Sequence, residues 1–333
     1  MIIVRAPTRI SFVGGGTDIA AFYKRYPGRV ISSAINKYIY VAVSRPPLVR
    51  GVSARYSISE LVDHPRELKN NRIHAALIDS GIHSNIDVSS FSDVPIKTGL
   101  GSSSSFSVAL VKALHLSEGR KFDRIENAER AARLEINLVG EPIGKQDQYV
   151  ASFGGFNIFQ FNSDDSVDVA PVRLDFRKRL EFTRHLILFF TGISRDAASV
   201  LREQVANIDN KYEILKKMSD SVFVFRDKLI AGDFEGLGKM LHDGWILKKG
   251  LASKVSNPVI DEFYEAGFNA GAWGGKLLGA GGGGCILFAA PPGKKDAIRR
   301  ELTRVSQKNG LNDFIEIPFN FVQSGAEVLM NHS

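Results

Sequence analysis

Three glycine-rich stretches, Gly14–Gly16, Gly99–Gly101 and Gly279–Gly284, constrain this chain more than any other feature. Glycine admits positive φ and lets a backbone approach another backbone or a ligand closely. The middle stretch reads Pro95-Ile96-Lys97-Thr98-Gly99-Leu100-Gly101-Ser102-Ser103-Ser104-Ser105. A strand pattern, Ile86–Phe91, precedes it. Apolar residues at 106, 108, 110, 111, 113 and 114 follow with the period of a helix packed on a sheet. Free N–H groups and the positive dipole end at such a helix start suit an anion, above all a phosphate. A flexible Ser-rich linker is the plainer alternative, but a linker does not sit between an apolar strand and an amphipathic helix.

The rest of the chain alternates β-rich and helical patterns. Ile2–Ala6 is a short strand pattern, interrupted by Pro7 and resumed at Ile10–Val13. Gly14-Gly15-Gly16-Thr17-Asp18 then forces a turn before a short helix, Ile19–Tyr26. Val30–Ala34 and Tyr38–Ser44 alternate like a hairpin around Asn36-Lys37. Asp123 caps a helix that runs past Glu135 to Leu138. The polar stretch Ile143-Gly144-Lys145-Gln146-Asp147-Gln148-Tyr149 follows. Leu186–Phe190 is an apolar strand, and three helices are expected at about 196–209, 211–231 and 233–249. Two strands flank the third glycine stretch. A helix at 293–308 and short strands at 312–316 and 319–323 close the chain. A boundary near 172–185 separates a β-rich first half from a helix-rich second half with its own small sheet.

Two familiar phosphate motifs are excluded. Gly279–Gly284 matches G-x-G-x-x-G in letters, but a strand follows it instead of the helix a dinucleotide site needs. Residues 99–105 lack the Gly-Lys-Ser/Thr of a Walker loop. On chemistry alone Asp147 is the strongest catalytic candidate, with Lys145 beside it to keep the carboxylate ionised. The alternative is a helix N-cap, and Asp18 and Glu135 have equally plain alternatives as an N-cap and a solvated helix residue. The seven histidines show no metal-ligand spacing.

Taken together and in order, the three stretches resemble the motifs of the GHMP kinases. Ala6–Asp18 is similar to the first, Pro95–Ser105 to the second (P-x-x-x-G-L-G-S-S), and Lys276–Gly284 to the third. Galactokinases of this superfamily carry Glu-His where this chain has Gly15 and Gly16. The all-glycine version, with Gly144–Tyr149 and Thr191–Arg195, is similar to the D-glycero-D-manno-heptose 7-phosphate kinases, and L-fucose kinases share parts of it. A mevalonate-pathway or homoserine kinase matches less well.

The resemblance implies an α+β fold. It has an N-terminal ribosomal-protein-S5-like domain (1–180), a C-terminal ferredoxin-like domain with added helices (181–333), and the active site in the cleft between them. It implies ATP with its phosphates on Lys97, Gly99, Leu100, Gly101, Ser102, Ser103 and Ser104, and Mg²⁺ on Ser103 and Glu135. Asp147 and Arg9 take the catalytic roles. Gly15, Gly16, Thr17, Asp18, Lys145, Gln146, Arg195, Gly281 and Gly282 are placed at the sugar, with Lys145 and Arg195 as the pocket for a second phosphate. The implied reaction is phosphorylation of the anomeric hydroxyl of heptose 7-phosphate to the 1,7-bisphosphate, for nucleotide-activated heptose synthesis. Another anomeric sugar kinase, or a catalytically inactive sensor of sugar and nucleotide, is the alternative.

Composition narrows the setting. Lys and Arg exceed Asp and Glu by 43 to 36, a net charge of +7. The excess is scattered without a dense basic block, which suits phosphorylated small molecules better than nucleic acid. No apolar run is long enough to span a membrane. The start of the chain has no signal-peptide layout, and Cys285 is the single cysteine. The expectation is a cytoplasmic enzyme, in a reducing compartment, that could form a homodimer.

Overall fold

The first strand, β1 (Ile2–Val13), runs straight through Pro7 in the computed structural model, which describes residues 1–48, 50–95, 97–194 and 197–332. Its partner β2 (Gly28–Ser44) is equally continuous, so the expected hairpin at Asn36-Lys37 is a bulge. The register passes from Pro7↔Tyr38 to Thr8↔Ile35, leaving Asn36 and Lys37 as two extra residues on β2. Pro7 has no N–H to give the ladder there. The bulge is held otherwise: Thr8 Oγ1 donates to Lys37 O at 2.9 Å and Asn36 Oδ1 accepts from Asn320 N at 2.6 Å.

The remaining elements in chain order are α1 (Ala20–Tyr23), β3 (Val52–Arg55), β4 (Ser59–Val62), α2 (Asn71–Asp79), β5 (Ile86–Ser92) and α3 (Ser102–Ser117). Next come α4 (Arg124–Arg133), whose end widens into a π turn at Leu134–Leu138, α5 (Gln146–Phe153), β6 (Phe156–Phe161), β7 (Val167–Pro171), α6 (Phe176–His185) and β8 (Leu186–Phe190). The chain continues through α7 (Ala197–Ala206), α8 (Ile208–Ala231), α9 (Phe234–Lys249), α10 (Pro258–Asn269), β9 (Gly274–Leu277), β10 (Cys285–Ala289), α11 (Lys295–Lys308), β11 (Ile315–Glu316) and β12 (Glu327–Asn331). The N-cap expected at Asp123 forms, with Asp123 Oδ1 accepting from Glu126 N, and Asn257 Oδ1 caps α10 by accepting from Val259 N.

Among the described residues one sheet has the order β12-β1-β2-β5-β3-β4, with β6 and β7 branching from β2, and the other has the order β11-β8-β10-β9. α3 packs on the first sheet through Val108, Leu110 and Leu114 against Val4 and Val41. A single apolar core joins the two sheets: Phe12 of β1 lies with Leu188 of β8, Leu287 of β10, Phe225 of α8 and Leu237 of α9. Phe12 stacks on Phe156 at 5.7 Å and on Phe225 at 5.4 Å between ring centroids. The expected division at residue 180 falls inside α6, and β12, from the chain's end, returns to pair with β1. The two parts are therefore two sheets sharing a core, and the three glycine stretches meet along their seam.

Candidate active site

The middle glycine stretch ends where α3 begins. Gly101, at φ +75°, caps the helix without a side-chain bond. Ser105 N turns back to Gly101 O at 2.9 Å. The N–H groups of Ser102, Ser103 and Ser104 precede the first intrahelical bond, and the three serines line a cavity of about 550 Å³ with Lys97, Gly99 and Gly101. Leu100 is the exception among the residues placed at the phosphates. Its side chain is buried in the shared core, and its carbonyl accepts from Arg9 N at 2.9 Å. It anchors the loop and does not face the cavity.

The close approach of this loop to the third stretch explains two of the glycines. A Cβ on Gly99 would lie 2.6 Å from Leu278 O, and one on Gly279 would lie 2.7 Å from Gly99 Cα. The two loops touch glycine to glycine, and Cys285 N donates to Thr98 O at 2.7 Å.

Asp147 is the second residue of α5, so it is not the helix N-cap. Its carboxylate is clasped in a fork by Arg9, with Nε to Oδ1 at 2.7 Å and Nη2 to Oδ2 at 2.6 Å. Arg9 Nη1 donates to Gly99 O at 2.6 Å, so the first and second stretches are joined through one side chain. A bidentate Arg–carboxylate pair fixes the plane of the carboxylate. Lys145, expected beside Asp147, points elsewhere. Its Nζ lies 3.4 Å from Asp165 Oδ1 and it is not on the cavity wall. The cation in contact with Asp147 is Arg9.

Asp18 is also not a cap, because α1 starts at Ala20 with no side-chain cap at all. It is 3% exposed. It accepts from Gly16 N and Gln146 N, each at 3.1 Å, and from Gln146 Nε2 at 3.3 Å. Burial pushes its carboxyl above the usual range. Gly144 makes room for it, since a Cβ there would sit 2.0 Å from Asp18 Oδ2. Gly15 and Gly16 line the cavity and leave open the space that larger residues would fill. Thr17 does not line it; it is fully buried, with Oγ1 2.8 Å from Gly14 O. Ser11 Oγ and Gln146 Oε1 border the same space and are buried without a hydrogen-bond partner among the described residues.

Gly281 and Gly283 reach the cavity, whereas Gly282 turns its N–H to Val255 O at 2.7 Å. Two lysines that the sequence reading passed over lie under this loop. Lys276 Nζ donates to Ser11 O at 2.9 Å and Phe12 O at 2.7 Å. Lys248 Nζ donates to Leu277 O at 3.3 Å and to Gly279 O. One signal was available: Lys248 shares a helix face with the buried Leu241 and Trp245, an apolar stripe where a lysine is out of place. Arg195 lies outside the described residues.

The residues present fit the magnesium site implied by the resemblance only in part. Ser103 offers an exposed hydroxyl on the cavity wall, a hard oxygen suited to Mg²⁺. Glu135 is fully buried and off that wall. Its carboxylate accepts from Arg72 Nε at 3.0 Å and from Gln148 Nε2. Ser103 fits a metal bound with substrate phosphates, and Glu135 as placed does not. Arg72, which also grips Glu141 at 2.7 Å, holds the cavity edge there. A separate hollow of about 630 Å³ beside α11 and β11 is far from these loops and is lined by Arg299, Asn312 and Ile315.

Residues 69–155 match the GHMP kinases N terminal domain, and residues 225–307 match the GHMP kinases C terminal domain. The chain belongs to the GHMP kinases. The matched segments carry the serine loop and Asp147 in one and Lys248, Lys276 and the third glycine loop in the other. This GHMP kinase is 28% identical over 319 residues to the D-glycero-alpha-D-manno-heptose 7-phosphate kinase of Campylobacter jejuni, covering 90% of this chain and 94% of that protein. It is 24% identical to a galactokinase of Pyrococcus furiosus, over 90% of this chain and 93% of the relative. In fold it superposes on a D-glycero-D-manno-heptose 1-phosphate kinase from Bacteriodes thetaiotaomicron with a TM-score of 0.80, at 24% identity and over 100% of both chains. The galactokinase of Lactococcus lactis, solved with galactose, gives a TM-score of 0.77 at 16% identity over 98% of this chain and 94% of that one. The expected fold class is the observed one. No helix among the described residues is long and apolar enough to cross a membrane.

Proposed function

We propose that this kinase transfers the terminal phosphoryl group of ATP to the anomeric hydroxyl of D-glycero-D-manno-heptose 7-phosphate, giving the 1,7-bisphosphate. The observation that carries the reading is the Arg9–Asp147 fork set beside the open N-terminus of α3. Phosphoryl transfer asks a protein for alignment and charge neutralisation more than for covalent chemistry. The N–H groups of Ser102–Ser104 and the dipole of α3 bind the phosphates. Mg²⁺ bound at Ser103 would neutralise phosphate charge. Asp147 orients the acceptor hydroxyl and accepts its proton, and Arg9 holds the carboxylate correctly turned. Each Asp147 oxygen keeps a second acceptor direction while Arg9 occupies the first. The sugar lies along Gly15, Gly16, Asp18 and Gln146, where Ser11 Oγ and Gln146 Oε1 provide unpartnered polar atoms for its hydroxyls.

The similarity to the Campylobacter heptose 7-phosphate kinase supports the choice of sugar, as do the two glycines at the positions galactokinases fill with Glu and His. The first test is Asp147→Asn in a coupled ADP-release assay. The variant is expected to bind ATP as the wild type does and to lose about 10²–10⁴-fold in kcat. A kcat near that of the wild type would remove Asp147 from the reaction.

A further inference from the structure

Three cations are enclosed where the glycine loops meet, and their partners differ. Arg9 has Asp147. Lys276 has the carbonyls of Ser11 and Phe12. Lys248 has the carbonyls of Leu277 and Gly279 and forms no ion pair among the described residues. Both lysines line the cavity, at 7% exposure for Lys248 and 8% for Lys276. An ammonium has three N–H groups, and two carbonyls satisfy two of them. A buried cation without a counter-ion is expensive, by several kcal/mol, and is reasonable where an anion arrives to complete it. The charges that act on Lys248 are Arg9 and Asp147, whereas Lys276 is influenced by Lys248 and Arg9. Lys248 and Asp147 line the same cavity, and the carboxylate favours the charged form of this ammonium.

We propose that Lys248 contacts phosphate directly, giving its third N–H to a phosphoryl oxygen beside Asp147, a role that rests on the kinase reading above. The carbonyls of Leu277 and Gly279 preorganise the donor, so it needs no reorientation as charge shifts between donor and acceptor oxygens. Arg9 already gives three of its five N–H groups to Asp147 and Gly99. The phosphate has two possible sources: the group being transferred from the nucleotide and the phosphate already on the sugar.

The test compares Lys248→Met with wild type and with Lys249→Met, a half-buried neighbour paired with Asp261. ATP is paired with a phosphorylated sugar and with its unphosphorylated counterpart. If Lys248 meets the transferring group, kcat falls about 10²-fold or more with both sugars and KM changes little. If it meets the sugar's own phosphate, KM rises for the phosphorylated sugar alone. Either result supports the proposal, and Lys249→Met is expected to behave as wild type. A folded Lys248→Met enzyme with kcat and both KM values within threefold of wild type would overturn it.

A measurement on the wild type covers the case of a variant that does not fold. Burial, with Arg9 as a lesser cause, lowers the Lys248 ammonium to about 7, against the pull of Asp147. NMR titration of the lysine side chains should show this value rise by more than one pH unit when ATP or the sugar phosphate binds. An unchanged value with both ligands bound would overturn the contact. The kinetic arms use whichever sugar the wild type turns over, so a different preferred sugar corrects the substrate and leaves Lys248 judged on its own result.

Discussion

At the scale of single residues, the site depends on carboxylates held in fixed poses. Asp18 is enclosed by N–H donors and by the missing side chain of Gly144. A Gly144→Ala methyl would meet Asp18 Oδ2 at 2.0 Å and its carbonyl oxygen at 2.9 Å. Overpacking of this kind costs about 1–3 kcal/mol. The variant should melt several degrees lower in a thermal unfolding scan and show a raised KM for sugar, with ATP affinity kept. Unchanged melting and unchanged sugar KM would show that Asp18 can move aside freely. The sequence identified Asp147, Asp18 and Arg9 as candidates but misassigned partners. Lys145 is Asp147's neighbour along the chain, yet it bonds Asp165, and Arg9, 138 residues away, is the partner. Sequence adjacency on a helix turn places Lys145 and Asp147 on different faces. Long-range pairing of this kind leaves no local signal.

At the scale of elements, the loops are locked by backbone contact. Gly279 has φ +69° and lies against Gly99. Alanine there meets both a left-handed conformation, costing about 1 kcal/mol or more, and a 2.7 Å contact with Gly99 Cα. Gly279→Ala should push the third loop off the serine loop and raise KM for ATP about tenfold or more, a loss of about 1.4 kcal/mol in binding. ATP titration by calorimetry would check this, and wild-type affinity would contradict the loop contact. The serine loop, the helix after it, and the strands flanking the third loop were legible because periodicity and glycine placement are local properties. The Pro7 break was misread for the same reason: a proline looks like a strand end in sequence, whereas a bulge on β2 carries β1 past it. β12 was missed because its partner, β1, is at the other end of the chain.

At the scale of the molecule, two sheets share one core, Lys276 ties the first and third motifs at their seam, and Lys248 lies buried beneath the third. That arrangement has a consequence for stability. Lys248 has a lowered ammonium value, about 7, against 10.5 when unburied. Between those values the unfolded state binds more protons than the folded one, so stability contributed at this site rises with pH. The burial penalty is complete below about 7 and fades toward 10.5. Lys248→Met should therefore equal or exceed the wild type in denaturant stability at pH 6–7, and the wild type should gain on it as pH rises toward 10. A difference independent of pH would show that the ammonium is not held in its buried place. The net charge of +7 fits the same picture, since phosphorylated ligands bring negative charge to a cavity whose floor is cationic.

The proposed substrate is a sugar that already carries a phosphate and takes a second one at its anomeric carbon. The most direct measurement is kcat/KM for D-glycero-D-manno-heptose 7-phosphate against the unphosphorylated heptose in a coupled ADP-release assay, with ³¹P NMR of the product. Strong preference for the 7-phosphate is expected, with a product whose second phosphorus signal is coupled to the anomeric proton. Equal kcat/KM for the two sugars, or phosphate at any other carbon, would contradict it.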